Sequence, residues 1–191
     1  MSTSEPDRSY HHGDLRAALV ATALEQLESG GAAALSLRAV ARACGVSAMA
    51  PYRHFAGKEE LLEAVAASGF EALAVALETA DASAAGAQAL AAQGAAYVTF
   101  ACRNPALFRL MFMGAGCTPD RSRAYAILER RAAALAGSGM AAADLTLAAW
   151  SLVHGLAALI LDRRVPLEGE AAQDTAQRIT LAFARLAAEA P

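Results

Sequence analysis

Apolar residues recur along most of this chain at the i, i+3, i+4 and i+7 spacing of a helix face. Leu15, Leu19, Ala23 and Leu27 form the first such stripe; Asp14 can cap it, and Ser29-Gly30-Gly31 ends it. Ser36 can cap a second helix, whose stripe is Leu37, Val40, Ala41 and Cys44. Gly45 stops that helix, Val46 follows as an apolar residue, and Ser47 can cap a short third helix through Phe55. Gly57 breaks the chain again. A long helix, about 58–80, then opens with Glu59 and Glu60, because carboxylates favour a helix N-terminus.

Beyond Asp81 the spacing predicts helices over about 86–102, 106–113, 119–136, 141–162 and 170–188. Asn104-Pro105 starts the second of these, since Asn caps well and Pro suits a first turn. A loop over 114–118, an opening at Pro119-Asp120, a stop at Gly137-Ser138-Gly139 and a turn around Pro166 and Gly169 punctuate the rest. Residues 1–12 are polar and aperiodic and read as a flexible arm. The expected fold class is all-α: a three-helix head followed by a C-terminal bundle of about six helices.

Composition sharpens that expectation. The 191 residues are 56% hydrophobic, which excludes a disordered chain. Alanine, the best helix former, supplies much of that fraction, whereas Val and Ile are scarce and never alternate, so an all-β fold is excluded. No fixed period recurs, which removes collagen-like, coiled-coil and repeat architectures. The three cysteines, Cys44, Cys102 and Cys117, are widely spaced without a CxxC pair, so neither a disulfide scaffold nor a zinc site is expected. No metal or cofactor is called for. Glu5, Pro6 and Asp7 stand where a signal peptide needs an apolar run. The longest apolar stretch, 145–161, is interrupted by Ser151, His154 and Gly155 and falls short of a bilayer span. The expectation is a reducing, cytoplasmic location and no membrane partner.

The net charge of −3 means that any nucleic-acid surface must be local. Such a locality exists. Between residues 36 and 58 lie Arg38, Arg42, Arg53 and Lys58, the chain's only lysine, with no Asp or Glu among them. The same stretch has the pattern of a helix-turn-helix: two short helices joined at a glycine that can take the positive φ of a tight turn. Lys58 opens a helix, where its charge and the free backbone amides together favour a phosphate. A helical hairpin with solvated arginines fits these spacings too, and only the next observation separates the two.

The stretch SLRAVARACGVSAMAPYRHFAGKEELL (36–62) resembles the DNA-binding domain of the TetR family of transcriptional regulators. The likeness spans 14–62 and rests on the Gly45-Val46-Ser47 turn, on Tyr52-x-His54-Phe55, and on Lys58-x-x-Leu61. Tyr10-His11-His12-Gly13-Asp14-Leu15-Arg16 is similar to the start of one subgroup, and Trp150-Ser151-Leu152-Val153-His154-Gly155 to its C-terminal signature. The resemblance implies a DNA-binding domain over 13–60 and a ligand-binding and dimerisation domain over 61–191. It implies that Arg38, Ala48, Met49 and Ala50 face base edges, while Ser47, Tyr52, His54 and Lys58 hold phosphates. Phe55 reads as a core anchor. Tyr52 can pack its ring and still offer its hydroxyl at the rim.

This recognition segment departs from donor-rich ones. Ala48, Met49, Ala50 and Pro51 carry no side-chain donor, so direct readout by them is limited to apolar contact such as thymine methyls. Arg38 is the residue suited to bidentate reading of guanine. Pro51 removes one amide, which is tolerable there and can shift the helix start.

In the C-terminal part, Phe100, Leu107, Phe108, Leu110, Met111, Phe112 and Met113 cluster on and beside one short helix, and Trp150 and His154 share a face one turn apart. Phe100, Phe108, Met111, Phe112, Trp150 and His154 are the candidate pocket residues for a small apolar effector. Solid core is the first reading of this set and pocket wall the second. The resemblance also implies a homodimer that reads a palindromic operator in double-stranded DNA, since two dyad-related heads read two half-sites. Gly155, Ala157, Ala158, Ala182 and Ala184 would let the last two helices approach their copies closely. Two other functions remain on the page. An enzyme or carrier using His154 with Cys102 or Cys117 lacks any phosphate loop, nucleophile elbow or metal pair to support it. A bundle that binds a small molecule or a partner without DNA is the alternative that the donor-poor third helix leaves open.

Overall fold

A computed structural model describes residues 15–113, 122–136 and 140–189. Its described residues form eight α-helices and one 3-10 turn. In chain order these are α1 (Leu15–Ala34), α2 (Leu37–Ala43), the 3-10 turn Pro51–Arg53, α3 (Lys58–Ala82) and α4 (Gly86–Arg103). They continue with α5 (Pro105–Met113), α6 (Arg123–Leu135), α7 (Ala142–Leu161) and α8 (Gly169–Glu189). The protein is all-α. The expected arm 1–12, the cap at Asp14, the 10–14 part of the subgroup motif, the loop with Cys117, the start at Pro119 and the stop at 137–139 lie outside the described residues.

Two compact units divide the chain, one ending at Val65 and the other beginning at Ala66. In the first, α1 buries Leu19, Ala23 and Leu27, the stripe its spacing predicts, and its helical geometry breaks at Gly31 (φ 73°, ψ 169°). Ser36 caps α2, its hydroxyl oxygen accepting from the Ala39 amide at 3.2 Å. Leu37, Val40 and Ala41 are buried beneath it. The predicted third helix is not an α-helix. Three of its amides bond three residues back, Ala50 N to Ser47 O at 2.9 Å, Arg53 N to Ala50 O at 3.2 Å and His54 N to Pro51 O at 2.9 Å, and only Phe55 N, to Pro51 O at 3.0 Å, reaches four back. Pro51 is the physical reason: it has no N–H to give to Ser47 O, so no four-residue ladder can begin there.

The second unit is a helical bundle in which α4 packs along α8 and against α6 and α7, with α5 set against α4. Ser122 is extended (φ −78°, ψ 152°) and its hydroxyl oxygen accepts from the Tyr125 amide, so α6 begins at Arg123. Helix α7 is long and apolar enough by length and composition to cross a membrane, more so than the shorter stretch 145–161 indicates. It buries Leu145, Thr146, Ala149, Val153 and Ala157 against its neighbours as a bundle helix does. That inward stripe also corrects the expectation for the small residues. Ala157 and Ala184 are buried within the chain's own bundle, at 0% and 1% exposure, and so cannot sit on an outer face. Ala182 is exposed, and Gly155 has open space around it. Leu147, Leu159 and Leu186 are large apolar side chains left exposed on the same two helices.

Candidate nucleic-acid interface and bundle cavity

The turn after α2 is set by backbone chemistry. Gly45 takes φ 70°, the left-handed region that costs a residue with a Cβ about 1–2 kcal/mol. There its amide reaches Arg42 O at 3.1 Å and the Val46 amide reaches Ala41 O at 3.0 Å. This pair of bonds is the Schellman motif, which satisfies two of the helix's last carbonyls and turns the chain sharply. Cys44 stays beneath the turn, its thiol 3.1 Å from Thr22 Oγ1. Phe55 is 1% exposed, with the Arg16 guanidinium 5.2 Å from its ring centre. The anchor role expected of Phe55 is what its burial shows.

With that anchoring, the outer side of 47–53 faces solvent. Ser47, Ala48, Met49, Tyr52 and Arg53 are exposed, and Ala50 and His54 are half-buried. Met49 is the most exposed large apolar side chain recorded, at 70%. Arg38 and Arg42 are exposed on α2, and Lys58 is half-buried at the first position of α3. Among the described residues, none of Arg38, Arg42, Arg53 and Lys58 is ion-paired. The start of α3 is closed by Glu60, one of the two carboxylates expected at this helix N-terminus. Glu60 accepts the Ala56 amide at 2.6 Å, a carboxylate reaching back over its own helix N-terminus.

The second unit holds a cavity lined mainly by apolar and aromatic side chains from α3, α4, α6, α7 and α8, with Phe112 of α5. Water centres can occupy about 40 Å³ of it, several times what one ordered water needs. Of the six candidate pocket residues, Phe112 and Trp150 line it. Phe108 and His154 stand in a ring cluster beside it, with the Phe112 ring 4.8 Å from Phe108 and 4.7 Å from His154. Met111 is fully buried, and Phe100 instead borders a separate surface groove with Arg103 and Gln173.

Tyr97 organises the ring cluster. Trp150 Nε1 donates to its hydroxyl oxygen at 3.3 Å, and that oxygen lies 2.8 Å from His154 Nδ1. Indole nitrogen can only donate, so the phenol oxygen accepts from Trp150; towards Nδ1 the hydroxyl donates when His154 is neutral with its proton on Nε2. Burial pushes the Tyr97 hydroxyl above its ordinary pKa and holds His154 below its own.

The wall on α4 contains a polar relay that the sequence reading missed. Asp81 accepts from Arg131 Nε at 2.6 Å and from Gln93 Nε2 at 2.7 Å, with Arg130 at 3.8 Å. The Arg131 hydrogen bond, foremost, holds the Asp81 carboxyl below its usual range. Gln93 and Thr180, both lining the cavity, are 2% and 1% exposed. A signal for both existed. Gln93 follows Leu90 by three residues in an inward stripe, and Thr180 falls between Ala176 and Ala184 in a four-residue run of buried alanines.

A helix-turn-helix head whose 36–58 stretch is cationic and holds no acid, joined to a helical bundle with an apolar cavity, has the architecture of a bacterial transcriptional regulator. Comparison with known proteins agrees. The family described as bacterial regulatory proteins, tetR family, matches residues 19–65, and the tetracyclin repressor-like C-terminal domain matches 90–183. The chain belongs to the tetR family, and it is a transcriptional regulator by that membership.

Solved structures repeat the fold. A protein of unknown function from Rhodococcus sp. RHA1 is 32% identical, with 96% of this chain and 100% of that one covered at a TM-score of 0.77. A regulatory protein of the tetR family from Rhodococcus RHA1 is 24% identical over 90% of this chain and 96% of its own, at 0.63. A TetR/AcrR-family transcriptional regulator from Thermobifida fusca YX-ER1 is 22% identical over 90% and 97%, at 0.62. No curated protein matches the chain.

Proposed function

We propose that the protein is a dimeric repressor that binds a palindromic operator in double-stranded DNA and leaves it when a small apolar effector enters the bundle cavity. The observation that carries this reading is the outer side of 47–53, exposed and flanked by Arg38, Arg42, Arg53 and Lys58, with no Asp or Glu between residues 36 and 58. Phosphate neutralisation by such a face gives affinity, and base contacts beside it give choice of sequence. In this reading Arg38 reads a base edge. Ala48, Met49 and Ala50 make apolar contacts in the major groove, and Ser47, Tyr52, His54 and Lys58 hold the backbone. Exposed Leu147, Leu159 and Leu186, together with the open surface at Gly155, supply the apolar area that a second copy would cover. The effector would act by binding one spacing of the two heads better than the other. The protein acts in the cytoplasm and does no chemistry of its own.

Duplex binding measured against salt concentration tests the interface. The expected result is a steep fall in affinity as salt rises, of the kind that several phosphate contacts produce. Binding that is absent at low salt contradicts the proposal.

A further inference from the structure

Three buried side-chain polar atoms have no hydrogen-bond partner among the described residues: Gln93 Oε1, Thr180 Oγ1 and Thr99 Oγ1. Thr99 borders the separate surface groove, whereas Gln93 and Thr180 both line the cavity. Buried polar groups are normally paired, so two orphans on one cavity wall point to a ligand.

The orientation of Gln93 follows from its neighbours. Asp81 is an ionised carboxylate held by Arg131, so it can only accept, and the group facing it must be the Gln93 amide nitrogen at 2.7 Å. The carbonyl oxygen is therefore the free end, and it accepts only. Thr180 is unusual for a different reason. A helical threonine in a core ordinarily bonds back to the carbonyl four residues before it, as Thr146 does to Ala142 O at 2.7 Å. Thr180 makes no such bond. Its hydroxyl lies against the α4 backbone at Gly94, where a Cβ would come within 2.4 Å of it. Both orphans thus belong to the α4–α8 wall, at consecutive positions along α4.

The remaining lining sets the rest of the ligand. Leu73, Leu77, Phe112, Trp150 and Val153 are apolar, and among the described residues no charged side chain lines the space. The Tyr97 hydroxyl, also on the wall, is already engaged with Trp150 and His154. A charged molecule would lose its hydration there without a counterion, and a carboxylate would set its lone pairs against those of Gln93 Oε1. A water radius of about 1.4 Å around the 40 Å³ open to water centres brings the space to the scale of one aromatic ring.

We propose that this cavity takes a small, uncharged, largely apolar ring molecule bearing one hydrogen-bond donor, an N–H or O–H received by Gln93 Oε1, with the Thr180 hydroxyl as its second polar contact. This rests on the reading of the cavity as the effector site and assigns that effector its chemical class.

The test uses the full chain and three ring probes: phenol, which has a donor; anisole, its methyl ether, which has none; and benzoate, an anion. Calorimetry should show phenol binding at least tenfold more tightly than anisole and benzoate not at all. In Gln93→Leu the phenol preference should disappear while anisole still binds, which shows that the variant is folded and its cavity intact. Should the variant fail to fold, Thr180→Val serves as the second variant, and its phenol preference should fall. Equal binding of phenol and anisole overturns the proposal, as does a preference that survives both substitutions. Binding of none of the probes also overturns it and leaves the two atoms to ordered water. Duplex binding is read separately. Phenol selectivity without any change in duplex affinity upholds the cavity chemistry and contradicts the effector reading. Release from duplex by anisole and benzoate as readily as by phenol does the reverse.

Discussion

The phenol oxygen of Tyr97 and Nδ1 of His154, separated by 57 positions in the chain, lie 2.8 Å apart in the bundle. Trp150 donates to the same oxygen, which leaves the phenol proton available to Nδ1 of a neutral His154.

That arrangement makes stability depend on pH in a defined direction. Burial lowers the His154 pKa below its ordinary 6.5, so the unfolded chain binds the proton more tightly than the folded one. Stability from this group is therefore complete above about pH 6.5 and is lost as pH falls towards the lowered folded value. Thermal melts from pH 8 to 5.5 should show the decline beginning near that point. In His154→Phe the slope across this window should be shallower by up to one proton's worth. Equal slopes in the two proteins would contradict the lowered pKa of the buried His154.

Gly94 and Thr180 form a second testable pair. A Cβ at Gly94 would meet Thr180 Oγ1 at 2.4 Å and its Cβ and Cγ2 at 3.0 Å. Gly94→Ala should therefore destabilise the bundle by about 1–3 kcal/mol through overpacking. Adding Thr180→Ala should restore part of the loss, with a coupling of about 1 kcal/mol in a double-mutant cycle. Additive effects of the two changes would show that the helices can part without cost.

Gly45→Ala should act on the head alone. The residue sits at φ 70°, and left-handed backbone costs alanine about 1 kcal/mol or slightly more. Amide exchange should quicken for the amides of α1 and α2 and stay unchanged in α7 and α8. Uniform change across both units would contradict the assignment of Gly45 to a local turn.

Arg38 and Lys58 should part company in DNA binding. Arg38→Ala is expected to relax selectivity at one base position by about 1–3 kcal/mol. Lys58→Ala should weaken all duplexes alike and reduce the salt slope by about 1. Equal losses on specific and random duplex for Arg38→Ala would remove Arg38 from base reading.

The head was more legible in the sequence than the cavity, and locality explains why. The α1 and α2 stripes, the Ser36 cap and the Gly45 stop are each decided within one or two helical turns. Pro51 was visible as a missing amide, but spacing alone could not show that the segment would reduce to a 3-10 turn over Pro51–Arg53. The cavity depends on partners far apart in the chain. Asp81 meets Arg131 fifty positions later, and that contact decides which end of Gln93 is free. Aromatic and methionine residues advertised a core over 100–113, yet only packing tells Phe112, at the cavity wall, from Phe100, on a surface groove. The small residues of α7 and α8 could be placed inside or outside only once the inward stripe of each helix was known.

Selection of bound fragments from random duplex DNA tests the central claim most directly. The account predicts enrichment of an inverted repeat, two like half-sites about one helical turn apart or a multiple of it, each matched to one head. A pool that enriches no motif, from a protein whose melting curve shows it folded, would contradict it.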